Sequence, residues 1–104
     1  MIRLSVMYPQ TADSTFDWKY YTSTHFELVG KYLSGKGLIR TEVDKGVAGF
    51  PPGASAPYHA IGHLFFSTIG ELANALNTSP ELIADQKNYF SGDSVVQISE
   101  VVEM

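Results

Sequence analysis

Hydrophobic and polar positions alternate from the start of the chain. Ile2, Leu4, Val6 and Tyr8 are separated by Arg3, Ser5 and Met7, a period of two that predicts a strand over 2–8 with one strongly apolar face. Pro9 has no N–H for a ladder hydrogen bond and ends it. Residues 10–15 form a polar loop. From Asp17 the period changes. Trp18, Tyr21, His25, Leu28, Val29 and Tyr32 recur at spacings of three and four, which marks the inward face of a helix over 17–33. Asp17 is placed to cap its free N–H groups and to meet the positive end of its dipole. Glu27 and Lys31 pair on the outer face, and Ser34-Gly35-Lys36-Gly37 stops the helix.

A weakly patterned second strand is expected over 38–47. Arg40, Glu42, Asp44 and Lys45 suit an edge strand, where charge discourages wrong pairing. Residues 46–57, rich in Gly and Pro, exceed an ordinary hairpin turn. They read as a surface connection, with a lid closed by Phe50 as the alternative. The third strand, over 58–66, is the most hydrophobic run and suits a central position covered on both faces. Thr68 and Glu71 stand at capping-box spacing, with Leu72, Ala73 and Leu76 as the inner face of a second helix. Ser79-Pro80 opens a short third helix, with Leu82, Ile83 and Gln86 turned inward. A last strand is expected over 95–102, with Val96, Ile98 and Val102 on one side.

The order β-α-β-β-α-β predicts an α+β, ferredoxin-like fold: one four-stranded antiparallel sheet with its helices on one face. At 104 residues the chain makes a single domain over 1–104 with one sizeable core. The other sheet face still carries apolar side chains, so a symmetric homodimer closing sheet on sheet is expected. A net charge of -4 with seven scattered Lys and Arg argues against nucleic acid as a partner. There is no cysteine, which removes disulfides and thiolate chemistry. No apolar run approaches the roughly 20 residues of a membrane span, and no basic-then-hydrophobic leader opens the chain. The expected location is the cytoplasm.

The candidate chemistry centres on His25, with Tyr21 one turn before it. An imidazole titrating near neutrality can serve as acid or base on a carbonyl or enol substrate, and a tyrosine hydroxyl can donate to a developing oxyanion. Taken alone, a histidine on an apolar face is more often a packed residue bonded to a backbone carbonyl, and the stripe of Trp18, Tyr21 and Tyr32 reads as core packing. His63 is the third catalytic candidate. Trp18, Tyr20, Phe50 and His59 are candidates for ligand contact, His59 either gating the cleft or sitting in a dimer interface. His59 and His63 share a strand face about 13 Å apart at roughly 3.3 Å per residue, too far to share one metal ion. No metal site is expected. Asp85 reads as a solvated surface carboxylate, the alternative being that it orients an imidazole.

Several stretches are shared with a known family. They are Ile2-Arg3-Leu4-Ser5-Val6-Met7-Tyr8-Pro9, Phe16-Asp17-x-x-Tyr20-Tyr21-x-x-x-His25, Tyr58-His59-Ala60-Ile61-Gly62-His63-Leu64-Phe65-Phe66 and Val96-Gln97-Ile98-Ser99-Glu100-Val101. Over nearly its whole length the chain resembles EthD-domain proteins, small members of the dimeric α/β-barrel superfamily. EthD proteins take their name from an accessory component of a cytochrome P450 system that degrades ethyl tert-butyl ether. The wider superfamily includes cofactor-free oxygenases, polyketide cyclases, lactone isomerases and haem-degrading enzymes, so the fold by itself selects no activity. The resemblance implies a protein that binds a small, largely apolar organic molecule. One class is a cofactor-free enzyme of oxidative degradation with His25 as general base. The other is a non-catalytic accessory or ligand-binding protein of an oxygenase partner. Haem binding is a third alternative.

Overall fold

In the computed structural model, which describes all 104 residues, the first strand is β1 (Ile2–Pro9) and it lies inside the sheet. It pairs antiparallel with β3 (Tyr58–Phe66) on one side and β4 (Val95–Glu100) on the other. β2 (Arg40–Lys45) closes the far edge against β3, giving the order β2-β3-β1-β4. This is the antiparallel ferredoxin-like sheet. The charged second strand is an edge strand, as its sequence predicts, and it is two residues shorter than expected at each end.

The first helix, α1, winds in three segments: Trp18–Tyr20 as α-helix, Tyr21–His25 as π-helix and Phe26–Leu33 as α-helix. Asp17 caps it by accepting from the Tyr20 N–H at 3.0 Å. The π turn is seen in the Phe26 N–H, which donates back five residues to the Tyr21 carbonyl. A 3.6-residue period has no place for this extra residue, so the pattern predicts an unbroken α-helix there. π turns of this kind recur at functional sites.

The second helix, α2 (Ile69–Asn77), starts at Thr68, whose hydroxyl accepts from the Glu71 N–H. It buries Leu72 and Ala75. Ala73, expected inward, is exposed, because the helical period carries the face from 72 to 75 and 76. The third helix, α3 (Pro80–Ala84), runs into a 3₁₀ turn over Asp85–Asn88. It turns Leu82 inward and leaves Ile83 69% exposed, so only one of that adjacent pair enters the core.

One apolar cluster joins Leu4, Leu64 and Phe66 of the sheet to Val29 and Leu33 of α1 and Leu72 and Ala75 of α2. Each fully buried side chain of this size stabilises the fold by about 1.5–3 kcal/mol, so this layer holds both helices to the sheet. An aromatic cluster beside it contains Tyr8, Tyr21, Tyr89 and Phe90 around Ala60. Ala60, Gly62, Leu64 and Phe66 of β3 face the helices, while Ile61, His63 and Phe65 face away. A register shift opposite Tyr8 and Pro9 interrupts the alternation at His59, whose ring packs on Phe16 and Phe90 of the aromatic cluster. At the second residue of the facing set, a Cβ on Gly62 would collide with the Tyr21 hydroxyl. Glycine is what lets the π turn sit directly on the strand.

Candidate active site

A cavity of about 210 Å³ lies between α1, the 3₁₀ turn and the sheet. Leu4, Val29, Leu64 and Leu82 supply apolar walls, and His25, Tyr8 and Tyr89 also line it. Its lining reaches solvent at Ile83 and Val96, which are 69% and 55% exposed. His25 itself is buried. The π turn brings it onto the inward side one turn from Tyr21, and the two rings stack at 5.5 Å and 10°. Tyr89 packs on the same imidazole at 4.7 Å.

His25 Nδ1 lies 2.9 Å from Asp85 Oδ2. The same carboxylate accepts from the Tyr20 hydroxyl at 2.6 Å and the Asn88 amide at 2.9 Å, both at Oδ1. Burial works to raise the Asp85 pKa, but the bonds from Tyr20, Asn88 and His25 outweigh it and hold the group below its ordinary value. An ionised carboxylate can only accept, so Nδ1 carries the imidazole proton. Nε2 is then the basic nitrogen of a residue that lines the cavity. Burial lowers the His25 pKa, with the Asp85 hydrogen bond and charge opposing it. The neutral, base-competent imidazole is therefore the form present at neutral pH.

Beside this dyad, the Tyr8 and Tyr89 hydroxyls lie 2.7 Å apart and share a hydrogen bond. Burial raises both phenol pKa values, so both stay protonated. Whichever hydroxyl accepts within the pair keeps a proton of its own to donate. The arrangement is a base, a carboxylate that fixes its tautomer, a hydroxyl donor and an apolar cavity. That set can remove a proton from a small molecule and meet the negative charge left behind. No group of three or more His, Asp or Glu side chains is placed to hold a metal ion.

Among solved structures, an EthD-like protein from Ralstonia eutropha matches with a TM-score of 0.90 and 33% sequence identity, over 98% of this chain and 92% of that one. The chain belongs to the EthD family. This EthD protein is also similar to an EthD-family protein from Bacillus halodurans, with a TM-score of 0.75 and 18% identity over 98% and 99% of the two chains. A DABB-family protein from Mesorhizobium loti with a ferredoxin-like fold matches at a TM-score of 0.55 and 14% identity, over 98% and 97%. The last two likenesses show the fold alone. No protein-family model and no curated protein matches the sequence.

The sequence candidates fall into separate places in the EthD fold. His25 lines the cavity, and Tyr21 stacks behind it. Tyr20 faces Asp85 rather than the cavity. Asp85, expected in solvent, is 7% exposed. The correction follows from the 3₁₀ turn, which swings residue 85 under α1 onto the donors that keep a buried carboxylate charged. Trp18 packs half-buried on Phe16 at 4.9 Å, and the Lys45 ammonium sits over its ring at 5.2 Å. Phe50 is 90% exposed at the tip of the 46–57 connection and is not among the residues lining the cavity. His59 bonds Ser14 Oγ at 2.7 Å and stacks on Phe16 at 5.7 Å.

His63 does not join His25, because it points out of the opposite face of β3. There its Nδ1 meets Ser5 Oγ and its Nε2 meets Asp44 Oδ2, both at 2.9 Å. Serine, histidine and aspartate in line invite comparison with a hydrolytic triad. Ser5, however, stands on a strand paired on both sides, with no free N–H pair to hold an oxyanion. The chain Ser5–His63–Asp44 ties three neighbouring strands together. Tyr8, Tyr89, Gln86 and Ser94 are cavity residues that sequence reasoning missed as functional. The available signal was Tyr8, a hydroxyl-bearing residue in phase with the inward face of β1.

No helix is long and apolar enough to cross a membrane.

Proposed function

We propose that this EthD protein binds a small, largely apolar organic molecule between helix and sheet and acts on it as a cofactor-free enzyme in oxidative degradation, in the cytoplasm. The observation that carries the reading is His25, buried between Asp85 and an apolar cavity with its Nδ1 committed to the carboxylate. Nε2 takes a proton from a C–H next to a carbonyl, or from a hydroxyl. Asp85 steadies the imidazolium that forms, and the Tyr8–Tyr89 pair donates to the oxyanion. Tyr21 and Tyr20 act behind this set, the first stacking on the imidazole and the second holding Asp85. The protein works as a homodimer through the sheet face opposite the helices. On that face Met7 stands between Ile61 and Val95 across three strands, and Val95 is 48% exposed, apolar surface for a second copy to cover.

The test is a panel of small aromatic and ether-derived compounds, followed by NMR shifts of cavity residues and by oxygen uptake. Turnover abolished by His25→Ala supports the enzyme. Binding that is only loosened by His25→Ala, with no turnover by the wild type, makes the protein an accessory or carrier of an oxygenase instead. Light scattering at micromolar concentration reads the assembly directly, against a chain mass of 11.4 kDa.

A further inference from the structure

We infer that the molecule this cavity accepts is a monocyclic phenol, held by its hydroxyl between His25 and the Tyr8–Tyr89 pair and ionised there. The inference rests on the reading of His25 as a base and narrows it to a substrate class. Size is the first ground. An apolar cavity of about 150 Å³ holds one benzene, so 210 Å³ encloses a single ring with a few further atoms, and a fused second ring would have to leave the apolar walls for the mouth. The walls are the second. Leu4, Val29, Leu64 and Leu82 offer no partner to a charge or a second polar group along the ring, and burying one unpaired would cost several kcal/mol. The polar atoms are the third. His25 Nε2 can only accept, and the tyrosine pair has a proton to donate. A ligand oxygen meeting both must itself carry a proton and also accept one hydrogen bond. A hydroxyl does this and an ether or ester oxygen does not.

The step balances without an oxidant. The phenol O–H breaks, its electron pair stays on oxygen, and the proton forms an N–H bond at Nε2. Before transfer the charged group is Asp85. After it the imidazolium stands between two anions, so the net charge of the buried set is unchanged. A substituent opposite the hydroxyl points to the mouth, where Ser94 Oγ donates to Gln86 Oε1 at 2.7 Å and a polar group is tolerated.

The experiment uses the full-length protein with 4-nitrophenol, whose phenolate absorbs in the visible, at a pH below the probe's own pKa in water. 4-Nitroanisole replaces the hydroxyl proton with a methyl group, and 4-nitro-1-naphthol adds a fused ring. Cavity-residue NMR shifts report binding separately from ionisation. The expected result is a rise of about tenfold in bound phenolate, equivalent to a one-unit fall in probe pKa. The anisole and naphthol should bind at least several-fold more weakly. His25→Gln, which keeps the side chain polar and of similar size, should leave 4-nitrophenol bound as the neutral phenol. If His25→Gln does not fold, Asp85→Asn serves in its place, with the same loss of phenolate. Anisole bound as tightly as the phenol, with no phenolate band, overturns the phenol assignment and leaves an apolar binding site standing. Naphthol bound as well as the single-ring probe overturns the size argument. If none of the three moves a cavity resonance, the assignment fails together with the ligand-cavity reading beneath it.

Discussion

At the scale of single residues, the site turns on the opposed pulls on His25 and Asp85. Burial lowers the imidazole pKa below 6.5, and Asp85 partly restores it. Replacing Asp85 by Asn therefore removes the restoring pull, and the His25 titration moves further to acid, which two-dimensional imidazole NMR reads directly. The same change frees the tautomer, so turnover of any accepted substrate should fall by about 10²–10⁴, the usual worth of a positioned base. Both shifts act on stability in one direction. His25 and Asp85 each have a folded pKa below the unfolded one. Their contributions are present above about pH 6.5 and pH 3.8 respectively, and are lost as the pH falls through each folded value. Urea unfolding midpoints should decline below pH 6.5 in the wild type, and the decline between pH 6.5 and 5 should flatten in His25→Gln. His25 itself was legible in the sequence, because an imidazole in a helical stripe stands out. Asp85 was not. It is separated from His25 by 60 residues, and an Asp in a short polar turn has no local mark that distinguishes a buried, triply bonded carboxylate from a solvated one.

At the scale of elements, the contact between α1 and β3 fixes where the histidine sits. Gly62→Ala drives a methyl group into the Tyr21 hydroxyl. The helix must lift or the ring must rotate, at a cost of about 1–3 kcal/mol. Chemical denaturation should show the loss, and the His25 resonances should move with it. A matching change at Asp17, the helix cap, is expected to cost about 1 kcal/mol to Ala while leaving those resonances nearly in place. Strand periods, caps and the element order were readable because each depends on near neighbours in sequence. The π turn was not readable, since Tyr21, His25 and Val29 fit a regular helical stripe and the surplus residue shows only in the backbone. The inward choice between Leu82 and Ile83 was equally hidden: α3 is five residues long, too short for a periodic pattern to choose a face.

For the whole molecule, the sheet is a partition with different work on each side. Its helix-facing side carries the cavity, and its other side carries Ser5, His63 and Asp44 in a chain across three strands. The period of two puts His59 and His63 on one face, and the structure separates them: a register shift beside Pro9 turns His59 onto Phe16 and Phe90, while His63 meets Ser5 and Asp44 on the far side. A bulge of this kind has no mark in the strand's own pattern, and the phase of a two-sided apolar strand relative to α1 is set only by what packs on it. Leu82→Trp, which fills the cavity from α3, should abolish small-molecule binding and leave the sedimentation or light-scattering mass unchanged, since the opposite face is untouched. A saturating ligand should raise the thermal midpoint of the wild type, by about 2.7 kcal/mol of stability at a hundredfold excess over Kd, and should do nothing for the filled variant.

The tyrosine pair joins residues 81 positions apart, and the dyad likewise takes its base from before the 46–57 connection and its carboxylate from after it. Neither half of the chain contains a site. Cut at the exposed tip around Phe50, the two fragments would each be blind to ligand, and mixing them should restore binding only to the extent that they refold together. Small-molecule capture is thus a reporter of complete assembly, and a split form of this protein would register the meeting of whatever two partners were fused to its halves.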